Sequence, residues 1–169
     1  MKKKIIINTI LIFIICTGVH FLYNLFPNFI TSIIAPVNES IFEHLKLVFT
    51  STFLYTLISN FYYKNKNIFV FAYIRGMLTI IILLILYLPA RAIFGEVMPL
   101  TLLILFISIL LAEIIMSKIN DNKLNNLNII CLILIIINYI VFAYFTYNPI
   151  KNFLFYDKKE KIYGIKEKK

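Results

Sequence analysis

Glycine, histidine, cysteine and acid are all scarce in this chain of 169 residues, which holds four glycines, two histidines, two cysteines and eight Asp or Glu. Each shortage excludes something. Cys16 and Cys131 both fall inside apolar runs, so they read as buried free thiols and not as a disulfide framework or a paired C-x-x-C site. No nucleotide loop, dinucleotide fingerprint or nucleophile elbow is present, which argues against soluble-type phosphate chemistry. There is no H-E-x-x-H. Proline and glycine hardly interrupt the apolar runs, whereas broken helices are common in transporters.

What the chain has instead is hydrocarbon. It is 61% hydrophobic with a mean hydropathy of +0.88, against about 45–50% apolar residues in ordinary soluble domains. Its apolar runs are long enough to cross roughly 30 Å of bilayer core. The expected fold is all-α: an integral membrane helical bundle of about five transmembrane helices, near 5–26, 41–62, 68–88, 99–117 and 127–147. Pro27 and Pro36 bound the first loop, and Lys64 and Lys66 sit in a tight polar turn. Pro89, Gly95 and Pro99 mark the third loop, and a polar stretch at 120–126 forms the fourth. No internal repeat is evident. Residues 1–148 form the bundle and 149–169 a basic tail.

The first run follows Lys2, Lys3 and Lys4, as in a signal peptide, but it is too long for a signal core and no A-x-A site follows. Ile15 before Cys16 also breaks a lipoprotein signal, so an uncleaved first span is expected. Basic residues near span ends set orientation. One side collects Lys2, Lys3, Lys4, Lys64, Lys66, Lys118 and Lys123, and the opposite loops hold only Arg91. This places the N-terminus in the cytoplasm, within a bacterial cytoplasmic membrane. The tail dissents: it lies outside in a five-span topology, yet it carries Lys151, Lys158, Lys159, Lys161, Lys166, Lys168 and Lys169. The net charge of +9 is assigned to anionic lipid headgroups and not to nucleic acid, because the lysines flank spans.

Polar chemistry concentrates in one stretch at 35–47, APVNESIFEHLKL. Ser40 and Glu43 fit an S-x-x-E capping box, with Asn38 as an alternative cap. Glu39, Glu43 and Lys46 share a face if the helix begins early enough, and Glu43 and Lys46 form an i, i+3 pair. Ser40 and His44 occupy a second face. A helix start so polar must meet water or polar protein groups. His20 ends the first span nearby, Arg91 and Glu96 lie in the other loop on that side, and Asp157 and Tyr163 join if the tail docks there.

His20, Glu39, Glu43 and His44 form a possible ligand set for zinc or a similar divalent metal. Glu43 and His44 are the catalytic candidates. The wider polar cluster comprises His20, Asn38, Glu39, Ser40, Glu43, His44, Lys46 and Asp157. Two charges fall within other spans. Arg75 lies about 10 Å into the third and Glu113 about 6 Å before the end of the fourth, at about 1.5 Å per residue. They either pair across helices or snorkel separately.

The string APVNESIFEHLKLVF, preceded by HFLY, resembles a family of small bacterial polytopic membrane proteins catalogued as a domain of unknown function. Its pattern is A-P-V-N-E-S-x-[WF]-E-H-x-K-L, and Phe42 stands here where Trp is common. The ending is also similar, with Pro149, Leu154, Phe155, Asp157, Tyr163, Gly164 and Ile165 matching; Ile150 replaces a second proline. The middle of the chain resembles the family poorly. The resemblance implies a five- or six-span bundle with a tail docked on its outer face, and it transfers no activity.

Three function classes stay open. A metal-dependent hydrolase needs a metal and a water-activating carboxylate such as Glu43. A small proton- or solute-handling transporter needs a polar path. A non-catalytic subunit needs a docking surface for a membrane protein partner. The lipid bilayer is the one partner composition names, and oligomeric state is left open.

Overall fold

The computed structural model describes residues 2–119 and 127–165. The fourth loop at 120–126, with Lys123, lies outside the described residues, as do Lys166, Lys168 and Lys169. Six helices follow in chain order: α1 (Lys2–Leu25), α2 (Phe29–Ile34), α3 (Ile41–Tyr63), α4 (Ile68–Phe94), α5 (Met98–Met116) and α6 (Asn128–Tyr147). A two-stranded antiparallel hairpin, β1 (Tyr156–Asp157) and β2 (Ile162–Tyr163), closes the chain. All helices but α2 are long and apolar enough to cross a membrane, the architecture of a multi-pass membrane protein.

Local chemistry sets the ends. Asn28 caps α2 reciprocally with Thr31: the Thr31 N–H donates to Asn28 Oδ1 at 3.0 Å, and the Asn28 N–H donates to Thr31 Oγ1 at 3.1 Å. That single turn inside the first loop has no apolar period to announce it. α4 runs through Pro89 to Phe94, beyond the break expected at that proline, and stops at Gly95 with φ of 72°. Proline removes one N–H from the ladder, and a membrane helix tolerates that loss where neighbouring groups make it up. α3 starts at Ile41, so Glu39 precedes the helix and does not share a helical face with Glu43 and Lys46.

α1, α3, α4 and α5 pack as a square, with α3 and α5 each touching both α1 and α4, while α6 packs outside on α4 and α2. α3 is the central helix: 61% of its most apolar window is buried, against 22% for α6. Without a strong hydrophobic drive between helices in lipid, close packing holds them together. Gly76 shows how close α4 comes, since a Cβ there would stand 2.7 Å from Phe49 Cδ2. Phe49, Val48, Ala72 and Phe142 form the core between α3, α4 and α6. Ile12, Cys16, Tyr55 and Ile109 close α1, α3 and α5 against one another. The outer surfaces are ridges of exposed isoleucine and leucine, such as Ile81, Ile85, Leu103, Ile133 and Ile137, more apolar area than a soluble monomer exposes.

Candidate functional site

The stretch at 35–47 lies at the end of the bundle opposite Lys2–Lys4, and the chain after α6 folds back onto it. Phe42 N–H donates to the Leu154 carbonyl at 2.9 Å, and the Phe42 ring stacks on Phe155 at 4.5 Å between centroids. Asp157 is fully buried. Its carboxylate accepts from the backbone N–H groups of Glu39 at 2.8 Å, Lys159 at 2.8 Å and Glu160 at 3.1 Å. Asn38 Nδ2 donates to the Gly164 carbonyl at 2.8 Å, and Asn38 Oδ1 accepts from the Ser40 N–H at 2.8 Å. Asn38, Ser40 and Asp157 therefore hold this end together, and in doing so they fix where Glu39 stands.

Only half of the expected capping box forms. Ser40 Oγ accepts from the Glu43 N–H at 3.4 Å, but the Glu43 carboxylate does not reach back to Ser40. It turns inward to Lys46 Nζ at 2.5 Å, both side chains being buried. Lys46 also donates to the Ser32 carbonyl at 2.7 Å and to Thr146 Oγ1 at 2.9 Å, which uses all three ammonium hydrogens. Glu43 in turn accepts from Thr146 Oγ1 at 2.9 Å and from the Val37 N–H at 3.0 Å. A buried ammonium is costly unless paired and fully hydrogen-bonded, and this demand outweighs a cap that other groups supply. The closed network ties α2, α3 and α6 together.

The neighbouring side chain points elsewhere. His44 Nδ1 lies 2.9 Å from the Ser40 carbonyl. A carbonyl only accepts, so Nδ1 carries the hydrogen, and Nε2 has one to offer only when the ring is doubly protonated. That Nε2 lies 3.7 Å from Glu39 Oε2, and His20 Nε2 lies 3.6 Å from Glu39 Oε1. The two rings are 5.5 Å apart between centroids. Lys159 Nζ approaches Glu39 Oε2 at 3.8 Å. These gaps are too wide for direct hydrogen bonds and suit a bridging water or small ligand. The carboxylate is 37% exposed and lines a cavity of about 240 Å³ with His20, Asn24, Asn38, Asp157 and Lys159.

At the opposite end, Arg75 Nε donates to Glu113 Oε1 at 2.5 Å, joining α4 to α5. Asn8 Nδ2 donates to Glu113 Oε2 at 2.8 Å, and Arg75 Nη1 donates to Thr56 Oγ1 at 2.5 Å.

A family model for a family of unknown function, DUF6512, matches residues 1–165. The chain belongs to that family. No curated protein and no solved structure matches the chain, so the DUF6512 assignment brings no activity with it, and the site is read from its own geometry.

In this DUF6512 member, His20, Glu39 and His44 meet, with Asn38, Ser40 and Asp157 as their frame. Glu43 and Lys46 belong to a separate buried network, so the four residues expected to ligate a metal do not converge. Glu43 is turned away, and Glu39 shows a different oxygen to each imidazole. Among the described residues, no group of three or more His, Cys, Asp or Glu is arranged to hold a metal ion. Arg91 pairs with Glu96, which Lys158 also approaches at 3.4 Å. The Tyr163 and Tyr156 rings meet tilted across the hairpin, 5.0 Å apart between centroids. Sequence reasoning missed Thr146, Asn8 and Lys159. Thr146 alone lay beside a signal, three residues ahead of the Pro149 at which the family-like ending begins.

Proposed function

We propose that the chain is a small proton-handling transporter of a bacterial cytoplasmic membrane, with its N-terminus in the cytoplasm. Its exchange site is the polar pocket at the outer face, built from His20, Glu39 and His44. Residues 1–148 are the spanning bundle, and the tail from 149 is a docked part of the site. One observation carries this reading: a single carboxylate, open to a cavity, faces an imidazole nitrogen on each of its two oxygens. Imidazole and carboxylate are the side chains suited to passing protons near neutral pH. The frame around them is hydrogen-bonded, with Ser40 and Asp157 buried, while the three exchanging groups keep access to solvent.

A polar cavity at the other end of the same bundle supports a path with two mouths. Between them, Ile12, Cys16, Tyr55 and Ile109 pack together, so passage requires α1 to separate from α3 and α5. The hydrolase reading is weaker, because Glu43 is consumed by Lys46 and Thr146. The test is proton flux into liposomes holding the purified protein. Flux that falls to the protein-free rate in Glu39→Gln supports the reading, and a silent wild type rejects it.

A further inference from the structure

The exchange site at the outer face occupies one end of the bundle only. His44 and Thr56 stand twelve residues apart on α3, about 18 Å along its axis, and the hydrocarbon to be crossed is about 30 Å thick. A proton that leaves the outer pocket therefore needs a second group to carry it on the Lys4 side. Among the described residues that half of the bundle holds one acid, Glu113. Glu39, Glu43, Glu96, Asp157 and Glu160 all belong to the other end.

Glu113 is 2% exposed and stands at the wall of a cavity of about 300 Å³ that opens at the Lys4 end, in the square of α1, α3, α4 and α5. Asn8, Thr56, Ser59 and Asn60 share that wall, so the space is polar and roomy enough for water. Toward the outer pocket, Ser108 of α5 and Ser51 and Thr52 of α3 are fully buried. Each donates its hydroxyl hydrogen to a carbonyl of its own helix, and polar groups thus continue inward beyond the cavity.

The titratable groups that face Glu113 across the cavity are Lys4 from α1, Tyr55 from α3 and Arg75 from α4. Arg75 Nε donates to Glu113 Oε1 at 2.5 Å, and Asn8 Nδ2 donates to Oε2 at 2.8 Å. A guanidinium does not give up its proton, so within the pair only Glu113 changes charge. Arg75 has supports that do not depend on that charge. Its Nη1 donates to Thr56 Oγ1 at 2.5 Å, and its Cζ lies 5.1 Å from the centroid of the Tyr55 ring. Pairing alone explains why two charges are tolerated at this depth. It does not explain why the one acid of this half lines a water-sized cavity, whereas Glu43, the other buried paired acid, lines neither this cavity nor the outer one.

We propose that Glu113 is the second proton-carrying group of this chain, with Arg75 as its fixed countercharge. The inference rests on the proton-handling reading of the outer pocket. A proton reaching Glu113 binds a carboxylate oxygen and cancels its charge, while Thr56 and the Tyr55 ring keep hold of Arg75. Water in the cavity then takes the proton, the carboxylate recovers its charge and the ion pair re-forms. No electron moves.

Proton flux into liposomes holding the full-length protein tests this. Glu113→Gln lowers the flux roughly a hundredfold. The double variant Arg75→Gln with Glu113→Gln is uncharged and retains hydrogen-bonding groups, so it keeps a thermal midpoint near that of the wild type and stays as inactive as the single variant. A pair that serves the fold alone gives the opposite result: the neutral pair restores flux, which overturns the proposal, as does wild-type flux in Glu113→Gln. A silent wild type rejects the proton-handling reading itself. One check needs no variant. Dicyclohexylcarbodiimide, an apolar reagent that adds to protonated carboxyl groups, stops wild-type flux and leaves its adduct on Glu113 in mass spectrometry. Absence of an adduct at Glu113 overturns the proposal.

Discussion

At the scale of single residues, Glu39 and Glu43 have opposite fates four positions apart. Glu43 is 1% exposed and locked to Lys46, whereas Glu39 stands before the helix, open to the cavity between two histidines. The contrast sets a prediction. Lys46→Met leaves a buried carboxylate unpaired and is expected to cost about 3–5 kcal/mol, whereas the double variant Glu43→Gln with Lys46→Met recovers much of that loss. Thermal midpoints in one detergent check this; equal midpoints for the single variant and the wild type would show that the pair is not held in a dry site. The Glu43–Lys46 spacing was legible in the sequence, because i, i+3 neighbours meet on any helix. The inward turn of Glu43 was not, because it depends on Thr146 and Ser32, which only the folded chain brings there. A local capping pattern cannot register a buried ammonium one turn away that needs the same carboxylate.

At the scale of elements, the five apolar helices could be read because crossing hydrocarbon demands length and apolarity together. α2 could not, being a single turn defined by Asn28 and Thr31. The end of α4 was misplaced because a proline signals a helix boundary in water more reliably than in a bundle where its lost bond is tolerated. The tail was legible only as a pattern. In the fold, Gly164 has φ of 65°, and a Cβ there would stand 2.7 Å from the Thr146 carbonyl oxygen. Gly164→Ala therefore meets a left-handed backbone cost of about 1–2 kcal/mol and a clash with α6. It should undock the hairpin, which trypsin would report as faster cleavage at the exposed Lys158, Lys159 and Lys161. Unchanged cleavage would mean that the tail is not held by this contact.

At the scale of the whole molecule, the fold places Lys2–Lys4 and the hairpin at opposite ends, which carries both sides of the charge conflict into three dimensions. The proposed orientation predicts that a cysteine at position 64 is shielded from a membrane-impermeant maleimide in intact cells, while one at position 160 reacts. Cys16 and Cys131 are buried and give little background. The reverse pattern would turn the His20 pocket to the cytoplasm.

The central claim, that Glu39 with His20 and His44 exchanges protons across this membrane, meets its most direct test in liposomes. Purified full-length protein is reconstituted with a trapped pH-sensitive dye, and an inside-negative potential is imposed. The account predicts that wild-type vesicles acidify faster than protein-free ones and that Glu39→Gln returns the rate to that baseline while the protein stays folded. Wild-type vesicles as tight as empty ones, or a Glu39→Gln variant as fast as the wild type, would contradict it.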